Sequence, residues 1–99
     1  MSTYRLSSLA LQDLKVISDY VGQRNPAAAV KQLQRFLESF TMLAKAPLLG
    51  EKRNDLPGQP RVFCVGNYVI VYDPLPTGVQ VARIAHAAQD IVTLLRQGL

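Results

Sequence analysis

The residues that could take part in chemistry lie in the second half of the chain. Arg61 opens an apolar stretch, and Arg83 and His86 stand three residues apart at the end of another. Guanidinium groups bind phosphate or carboxylate oxygens through paired hydrogen bonds, and a histidine can transfer a proton near neutral pH. If these side chains converge on one open face of a sheet, they form a basic patch for an anionic ligand.

Each of these residues also has a structural interpretation. Arg83 lies in an otherwise apolar segment, where a charged side chain is usually paired with an acid, and Asp73 or Asp90 could supply that acid. For His86 the pattern favours a hydrogen-bonded residue at a strand end over a catalyst. The apolar pattern around Arg83 does not decide which face of its strand the side chain occupies.

The sequence contains no complete catalytic or metal-binding constellation. It has one histidine and one cysteine, whereas a nucleophilic triad needs a base beside its nucleophile and a metal site needs three or four ligands. We therefore predict no catalytic residue, no metal and no cofactor. Cys64 is expected to be a buried, inert thiol because it lies in an apolar strand.

Composition predicts one globular domain over residues 1–99. Apolar residues make up 48% of the chain and charged residues 18%, a balance typical of folded proteins. The net charge of +4 favours an acidic partner or a polyanion, but no long basic run indicates sequence-specific binding of nucleic acid. The chain lacks a membrane-spanning apolar segment and a secretory N-terminus, so we expect a cytoplasmic protein.

Two amphipathic helices are predicted in the first half of the chain. A serine cap before apolar residues at helical spacing predicts the first helix over 8–23. Asn25 as N-cap and Pro26 as first helical residue begin the second helix, which is predicted to end near Ala44. The core-facing stripe of the second helix is predicted to contain Val30, Leu33, Leu37 and Phe40, with Phe36 and Leu43 on its flanks.

A small sheet is predicted to follow a proline-containing connector over 47–60. A short strand at the N-terminus is expected to add to one sheet edge, parallel to a later strand. The remaining predicted elements are strands over 61–65, 68–72 and 79–85 and a helical turn over 90–96 that ends at Gly98. The predicted fold class is α+β, with an N-terminal helical hairpin packed on a small, mainly antiparallel twisted sheet. At most four strands are expected, with the second face of the sheet partly open.

A set of short motifs, each present once, follows a characteristic order and spacing along nearly the whole chain. These motifs are Tyr4-Arg5-Leu6-Ser7, Ala10, Asp13-Leu14, Ile17, Tyr20, Leu43-Ala44, Pro47, Gly50, Asp55-Leu56-Pro57-Gly58, Arg61, Val65-Gly66-Asn67-Tyr68-Val69-Ile70, Tyr72, Arg83-Ile84, His86 and Asp90. In this pattern the chain resembles the ParE branch of the RelE/ParE toxin superfamily. The resemblance implies the fold described above and a toxin of a type II toxin–antitoxin pair.

The resemblance also implies a target and a partner. ParE-like toxins trap DNA gyrase on cleaved DNA, and a ParD-like antitoxin neutralises them in a hetero-oligomer. RelE-like toxins instead cut mRNA on the ribosome with several cationic side chains and a tyrosine near the C-terminus or another acid–base group. No tyrosine follows His86 in this chain, which favours the non-enzymatic gyrase inhibitor.

Two surfaces are predicted from these considerations. Arg61, Arg83 and His86 are expected to contact the target together with the segment 91–99. An amphipathic antitoxin helix is expected to bind apolar residues that lie off the main helical stripes, namely Leu11, Tyr20 and Phe36.

Two alternative functions stay open on the sequence. One is a ribosome-dependent endoribonuclease, in which the two arginines stabilise the phosphate and His86 transfers a proton. The other is a chain that has lost toxicity and only binds an antitoxin.

Overall fold

The computed structural model describes residues 2–97, which form an α+β fold with two helices on one face of a five-stranded sheet. In chain order the elements are β1 (Thr3–Leu6), α1 (Ser8–Arg24), α2 (Pro26–Lys45), β2 (Glu51–Lys52), β3 (Arg61–Val65), β4 (Tyr68–Leu75), β5 (Gly78–His86) and α3 (Ile91–Gln97). The strand order is β1-β5-β4-β3-β2, and only β1 and β5 pair in parallel. The predicted fold class and the parallel edge strand are confirmed.

The two long helices begin where their caps predict. Ser7 Oγ accepts a hydrogen bond from the Ala10 N–H at 3.0 Å, and Asn25 Oδ1 accepts one from the Ala28 N–H at 3.2 Å. Pro26 is the first residue of α2, where its missing N–H costs nothing. Each helix extends one residue beyond its predicted end.

The predicted core stripe of α2 is correct for Phe40 and wrong for its other three members. The buried residues of this helix are Phe36, Phe40, Leu43 and Ala44, whereas Val30, Leu33 and Leu37 are 58%, 37% and 38% exposed. Both stripes satisfy helical spacing, so periodicity could not separate them. Packing against the sheet decides between them, because two aromatic residues of the sheet contact the phenylalanine rings. The ring centroids of Tyr4 and Phe40 are 5.4 Å apart, and those of Tyr68 and Phe36 are also 5.4 Å apart.

The second face of the sheet carries its own apolar cluster, so it is less open than predicted, although Cys64 and Asp73 are exposed on it. This cluster contains Leu56 from the connector, Leu95 from α3, and Val62, Val69 and Val71 from the strands. The expected limit of four strands is also exceeded, because Glu51–Lys52 pairs with β3. Two residues are too few to produce a periodic signal in the sequence.

Cys64 is exposed, which corrects the expectation of a buried thiol. The residue lies in β3, and β2 pairs only with Arg61 and Val62, so Cys64 lies on a free edge of the sheet. The apolar neighbours that suggested burial are on both faces of the strand, and they did not reveal this edge.

Gly78 is required where β5 begins beside β1. Its φ of +147° disfavours other residues, and a Cβ at this position would collide with the Thr3 carbonyl. The β4–β5 hairpin is longer than predicted and contains a bulge, in which Val71 is opposite Arg83 while Tyr72 is opposite Val81.

Candidate functional site

Side chains from α1 and its N-cap form hydrogen bonds with the backbone of β5 along the part of its edge that β1 does not cover. Strand β1 ends at Leu6, so from Ala82 onward β5 pairs with β4 on one side and has no neighbouring strand on the other. Ser7 Oγ donates to the Ala82 carbonyl at 2.7 Å, and Asp13 Oδ2 accepts from the Ile84 N–H at 2.9 Å. These bonds satisfy backbone groups that would otherwise lack a partner strand.

Asp13 and Arg83 form a two-pronged ion pair at this edge. Arg83 Nε donates to Asp13 Oδ2 at 2.8 Å and Nη2 donates to Oδ1 at 3.0 Å, while the third nitrogen donates to the Leu94 carbonyl at 3.2 Å. The two side chains are only 12% and 16% exposed. Hydrogen bonding to the Asp13 carboxylate raises the pKa of the Arg83 guanidinium, although burial acts in the opposite direction. An acid does pair with Arg83, but it is neither Asp73 nor Asp90.

The structure does not bring Arg61 and Arg83 together. Arg61 is opposite Tyr72, which belongs to the core beneath the helical hairpin, whereas Arg83 is opposite Val71, which belongs to the cluster on the second face. Directly opposed residues of antiparallel strands project to the same face. The two arginines therefore originate on opposite faces of the sheet, and the predicted basic patch is not formed.

Arg61 is engaged by the connector. Its Nη1 donates to the Gly50 carbonyl at 2.7 Å and lies 3.3 Å from the Leu48 carbonyl. The residue is half-buried. Its clearest role in the structure is to hold the connector against the start of β3.

His86 lies at the exposed end of β5 and is oriented by its neighbours. Its ring meets the Tyr68 ring edge-on, with the centroids 5.5 Å apart. Nδ1 accepts the Ala88 N–H at 3.1 Å, and Gln89 Oε1 accepts the His86 N–H at 2.7 Å. Because Nδ1 is an acceptor, the neutral ring carries its proton on Nε2, which is directed at no hydrogen-bond partner among residues 2–97.

A concave pocket of about 350 Å³ lies between α1 and the end of β5. Its polar lining includes His86, Gln12 and Gln89, and the Asp13–Arg83 pair borders it. Leu9, Val16 and Ile17 supply apolar walls from α1. The pocket therefore has hydrogen-bonding groups beside an apolar helix flank, an arrangement suited to a protein side chain.

The C-terminal helix α3 begins at a carboxylate cap. Asp90 Oδ1 accepts the Val92 N–H at 3.1 Å and the Thr93 N–H at 3.3 Å, and Oδ2 accepts the Thr93 hydroxyl at 2.8 Å. The bonds from Thr93 lower the pKa of Asp90. The segment 91–99, which is expected to contact the target, is helical from Ile91 to Gln97. Its last two residues, including the predicted helix end at Gly98, lie outside the described residues.

The three residues predicted to bind an antitoxin have different environments. Leu11 and Tyr20 are 55% and 53% exposed, whereas Phe36 is 1% exposed and packs in the core. The assignment of Phe36 to a binding surface is therefore corrected. Leu11 and Tyr20 are nine residues apart, which places them on opposite sides of α1, about 180° from each other.

The contact between the helices identifies the flank on which Leu11 lies. A Cβ at Gly22 would lie 3.7 Å from Ala29 Cβ, so these residues face each other across the hairpin. Helical spacing places Leu11 on the Gly22 flank and places Leu33 and Leu37 on the Ala29 flank. We call the exposed residues Leu11, Leu33 and Leu37 the interhelical stripe, because they border the seam between α1 and α2.

Tyr20 belongs to the other flank of α1. Val16 lies one turn earlier on that flank and is 61% exposed. The Arg24 guanidinium lies 4.5 Å from the centre of the Tyr20 ring. This flank faces the pocket at His86, since Val16 also lines that pocket.

Across residues 2–97, no three acidic, histidine or cysteine side chains come together in a group that could hold a metal ion. None of the helices in this range has both the length and the apolar composition needed to cross a membrane.

Comparisons with known proteins agree with the fold. A solved structure described as "Chromosomal ParDE TA system from P. aeruginosa" matches with a TM-score of 0.72 and 22% identity, covering 87% of this chain and 96% of that chain. No curated protein matches the sequence significantly. The family described as "ParE toxin of type II toxin-antitoxin system, parDE" matches residues 4–91. Because that match spans most of the chain, the protein belongs to the ParE toxin family of parDE type II toxin–antitoxin systems.

Proposed function

We propose that this ParE-family toxin inhibits DNA gyrase by binding the enzyme and stabilising its complex with cleaved DNA, without breaking bonds itself. The observation that carries the proposal is the separation of the two candidate arginines. Arg83 is bound to Asp13, Arg61 is bound to connector carbonyls, and the two side chains start on opposite faces of the sheet.

That separation favours occupation of a target over phosphodiester cleavage. A nuclease needs several donors directed at one developing phosphate charge, together with an acid or base within hydrogen-bond reach. Among residues 2–97, His86 offers one ring nitrogen without a hydrogen-bond partner, and the two arginines are held in different environments. These groups are better suited to shaping a binding surface than to stabilising a phosphorane.

We assign the target-contacting surface to His86, the adjoining pocket and the exposed side of α3. His86 and Gln89 are exposed at the mouth of the pocket, and α3 follows within the same part of the chain. In this proposal Arg61 and Arg83 contribute by holding the connector and α3 in place. The chain acts in the cytoplasm, where gyrase is found.

The antitoxin partner is proposed to be ParD-like and to place an amphipathic helix on the interhelical stripe. Leu11, Leu33 and Leu37 form a row of exposed apolar side chains, which is the surface such a helix requires. Tyr20 is proposed as a separate antitoxin contact, because a single straight helix on the stripe cannot reach the opposite flank of α1. The net charge of +4 favours an acidic antitoxin segment in the resulting hetero-oligomer.

The decisive experiment separates inhibition of gyrase from cleavage of RNA. The toxin would be added to gyrase and relaxed plasmid, and supercoiling and linear DNA would be measured. We expect supercoiling to fall and linear DNA to accumulate, and expect equimolar antitoxin to reverse both effects. His86→Ala should weaken the effect, whereas Gln23→Ala, an exposed substitution at the far end of α1, should not.

Two other results would contradict the proposal. Codon-specific cuts in translated mRNA, with gyrase unaffected, would support the endoribonuclease. Unchanged growth of bacteria that produce the chain without antitoxin would indicate a protein that retains only antitoxin binding.

A further inference from the structure

We propose that Asp13 is a positioning residue for the C-terminal helix. Through the Arg83 guanidinium, this carboxylate fixes α3 on the second face of the sheet and thereby sets part of the surface presented to the target. The reference to a target rests on the proposed function, whereas the control of α3 by Asp13 does not.

The hydrogen bonds of Arg83 join three separate elements. The residue belongs to β5, two of its nitrogens hold Asp13 in α1, and the third donates to the carbonyl of Leu94 in α3. A planar guanidinium can do this because its donors have a fixed geometry. The helical hairpin and α3 lie on opposite faces of the sheet, so Arg83 connects them around its edge.

The β-bulge explains how Arg83 reaches both helices. Tyr72 is opposite Val81 but Val71 is opposite Arg83, so Ala82 is the additional residue in β5. A bulge of this kind redirects side chains relative to a regular strand. Here it places Arg83 on the second face, near α3, at the sheet edge where Asp13 also bonds the Ile84 N–H.

The helix held by this contact has little stability of its own. It has seven described residues, and isolated helices shorter than about 12–15 residues are marginal in water. One of its side chains, Leu95, is buried, while Ile91 and Val92 are only partly buried. A cation at a carbonyl in the last described turn favours the helix electrostatically.

Asp13 determines whether Arg83 can supply that contact. With Asp13 present, the carboxylate balances the positive charge of the guanidinium, which is mostly shielded from water. Without the carboxylate, the same position would hold an uncompensated, shielded charge, which is strongly unfavourable. Arg83 would then turn towards solvent and release the Leu94 carbonyl.

The first test is Asp13→Asn, which removes the charge but retains an oxygen that can accept the Ile84 N–H. Asp55→Asn is the matched control, because it removes the acid from the exposed Arg53–Asp55 pair, which has similar two-pronged geometry. Amide hydrogen exchange of the purified protein would be followed by NMR. We expect exchange in α3 to become ~10-fold faster or more in Asp13→Asn, with α2 and the central strands unchanged, and expect no change in Asp55→Asn.

The second test compares two binding reactions of the same variants. Asp13 projects about 160° from Leu11 around α1, well away from the interhelical stripe, and it lies two turns, about 10 Å, before Tyr20, the second proposed antitoxin contact. Asp13→Asn should therefore reduce inhibition of gyrase several-fold and leave antitoxin affinity within twofold of the unsubstituted protein. Asp13→Glu, which restores the charge, should recover part of the inhibition.

These outcomes distinguish the inference from the proposed function. Unchanged α3 exchange in Asp13→Asn would overturn the inference, and so would equal acceleration throughout the protein. If Asp13→Asn does not fold, Arg83→Lys provides the same test, since an ammonium group keeps the charge but cannot hold Asp13 and Leu94 in the same fork. Faster α3 exchange in a protein that never affects gyrase would retain the inference on α3 and reject the proposed function.

Discussion

The hydroxyl group of Tyr72 and the backbone of Gly50 fix the connector to the sheet. Tyr72 Oη accepts the Gly50 N–H at 2.8 Å and donates to the Pro47 carbonyl at 2.8 Å. The Tyr72 side chain is fully buried, and burial raises the pKa of its hydroxyl. A Cβ at Gly50 would lie 2.6 Å from this oxygen, so only glycine allows the connector to approach so closely.

We expect Tyr72→Phe to destabilise the fold by about 1–3 kcal/mol, because it leaves two backbone groups without their partner. Urea unfolding followed by circular dichroism would measure the free energy of unfolding. Tyr20→Phe is the control, since Tyr20 is exposed and should change stability by less than about 0.5 kcal/mol. Equal effects of the two substitutions would contradict the bridging role of Tyr72.

Neighbouring residues of α2 should respond very differently to truncation. Phe36→Ala should cost about 3–5 kcal/mol because it removes a ring from the core, whereas Leu37→Ala should cost far less because Leu37 is 38% exposed. Thermal unfolding of the two purified variants would decide. If the stripe predicted from the sequence faced the core, Leu37→Ala would destabilise the protein more than Phe36→Ala.

The interhelical stripe and Tyr20 should contribute separately to antitoxin binding. Leu11→Ala and Leu37→Ala should each weaken binding by about 1–2 kcal/mol, and their double variant should depart from additivity because one partner helix contacts both residues. Leu11→Ala and Tyr20→Ala should instead be additive, since the residues lie on opposite flanks of α1. Titration calorimetry with the antitoxin would measure the binding free energy of each single and double variant. The opposite pattern of coupling would place the antitoxin elsewhere.

Asp55 provides a pH test that is independent of function. Arg53 donates hydrogen bonds to both carboxylate oxygens, and this lowers the pKa of Asp55 from 3.8 to about 2. The contribution of the pair to stability is therefore present above the unfolded pKa near 3.8 and is lost as pH falls through about 2. Because both groups are exposed, this contribution is small.

An NMR titration of the Asp55 carboxyl carbon would measure the shift. In Arg53→Gln the midpoint should return towards 3.8. A midpoint near 3.8 in the unsubstituted protein would show that the exposed pair does not persist in solution.

Local features of the fold could be predicted because their causes lie within a few residues. Ser7 and Asn25 cap helices through hydrogen bonds to the third residue beyond, and Pro26 is compatible only with the start of α2. Gly66 has the positive φ of +58° that the predicted two-residue hairpin turn requires at its first position. None of these assignments depends on distant parts of the chain.

The candidate site could be predicted only in part. The pattern predicts His86 as a strand-end residue, but it does not predict the pairing of Asp13 with Arg83, because the two residues are 70 positions apart in sequence. Asp13 gave two signals, an acid beside the core residue Leu14 on an amphipathic helix and a place in the Asp13-Leu14 motif, and neither indicates Arg83 as its partner. Phe36 was misplaced because two stripes of α2 satisfy the same helical period.

The helical hairpin, the meander of strands and the family could be predicted from the sequence, since caps, turns and spacing act locally and occur in a defined order. Tertiary structure alone decided which stripe of α2 enters the core, which acid pairs with Arg83, and that Arg61 and Arg83 occupy opposite faces. The choice of stripe depends on packing against the aromatic residues of the sheet, whereas the placement of the arginines depends on strand register and on a single bulged residue at Ala82. A shift of one residue moves a side chain to the other face of a sheet, and no local pattern in an apolar strand records that choice.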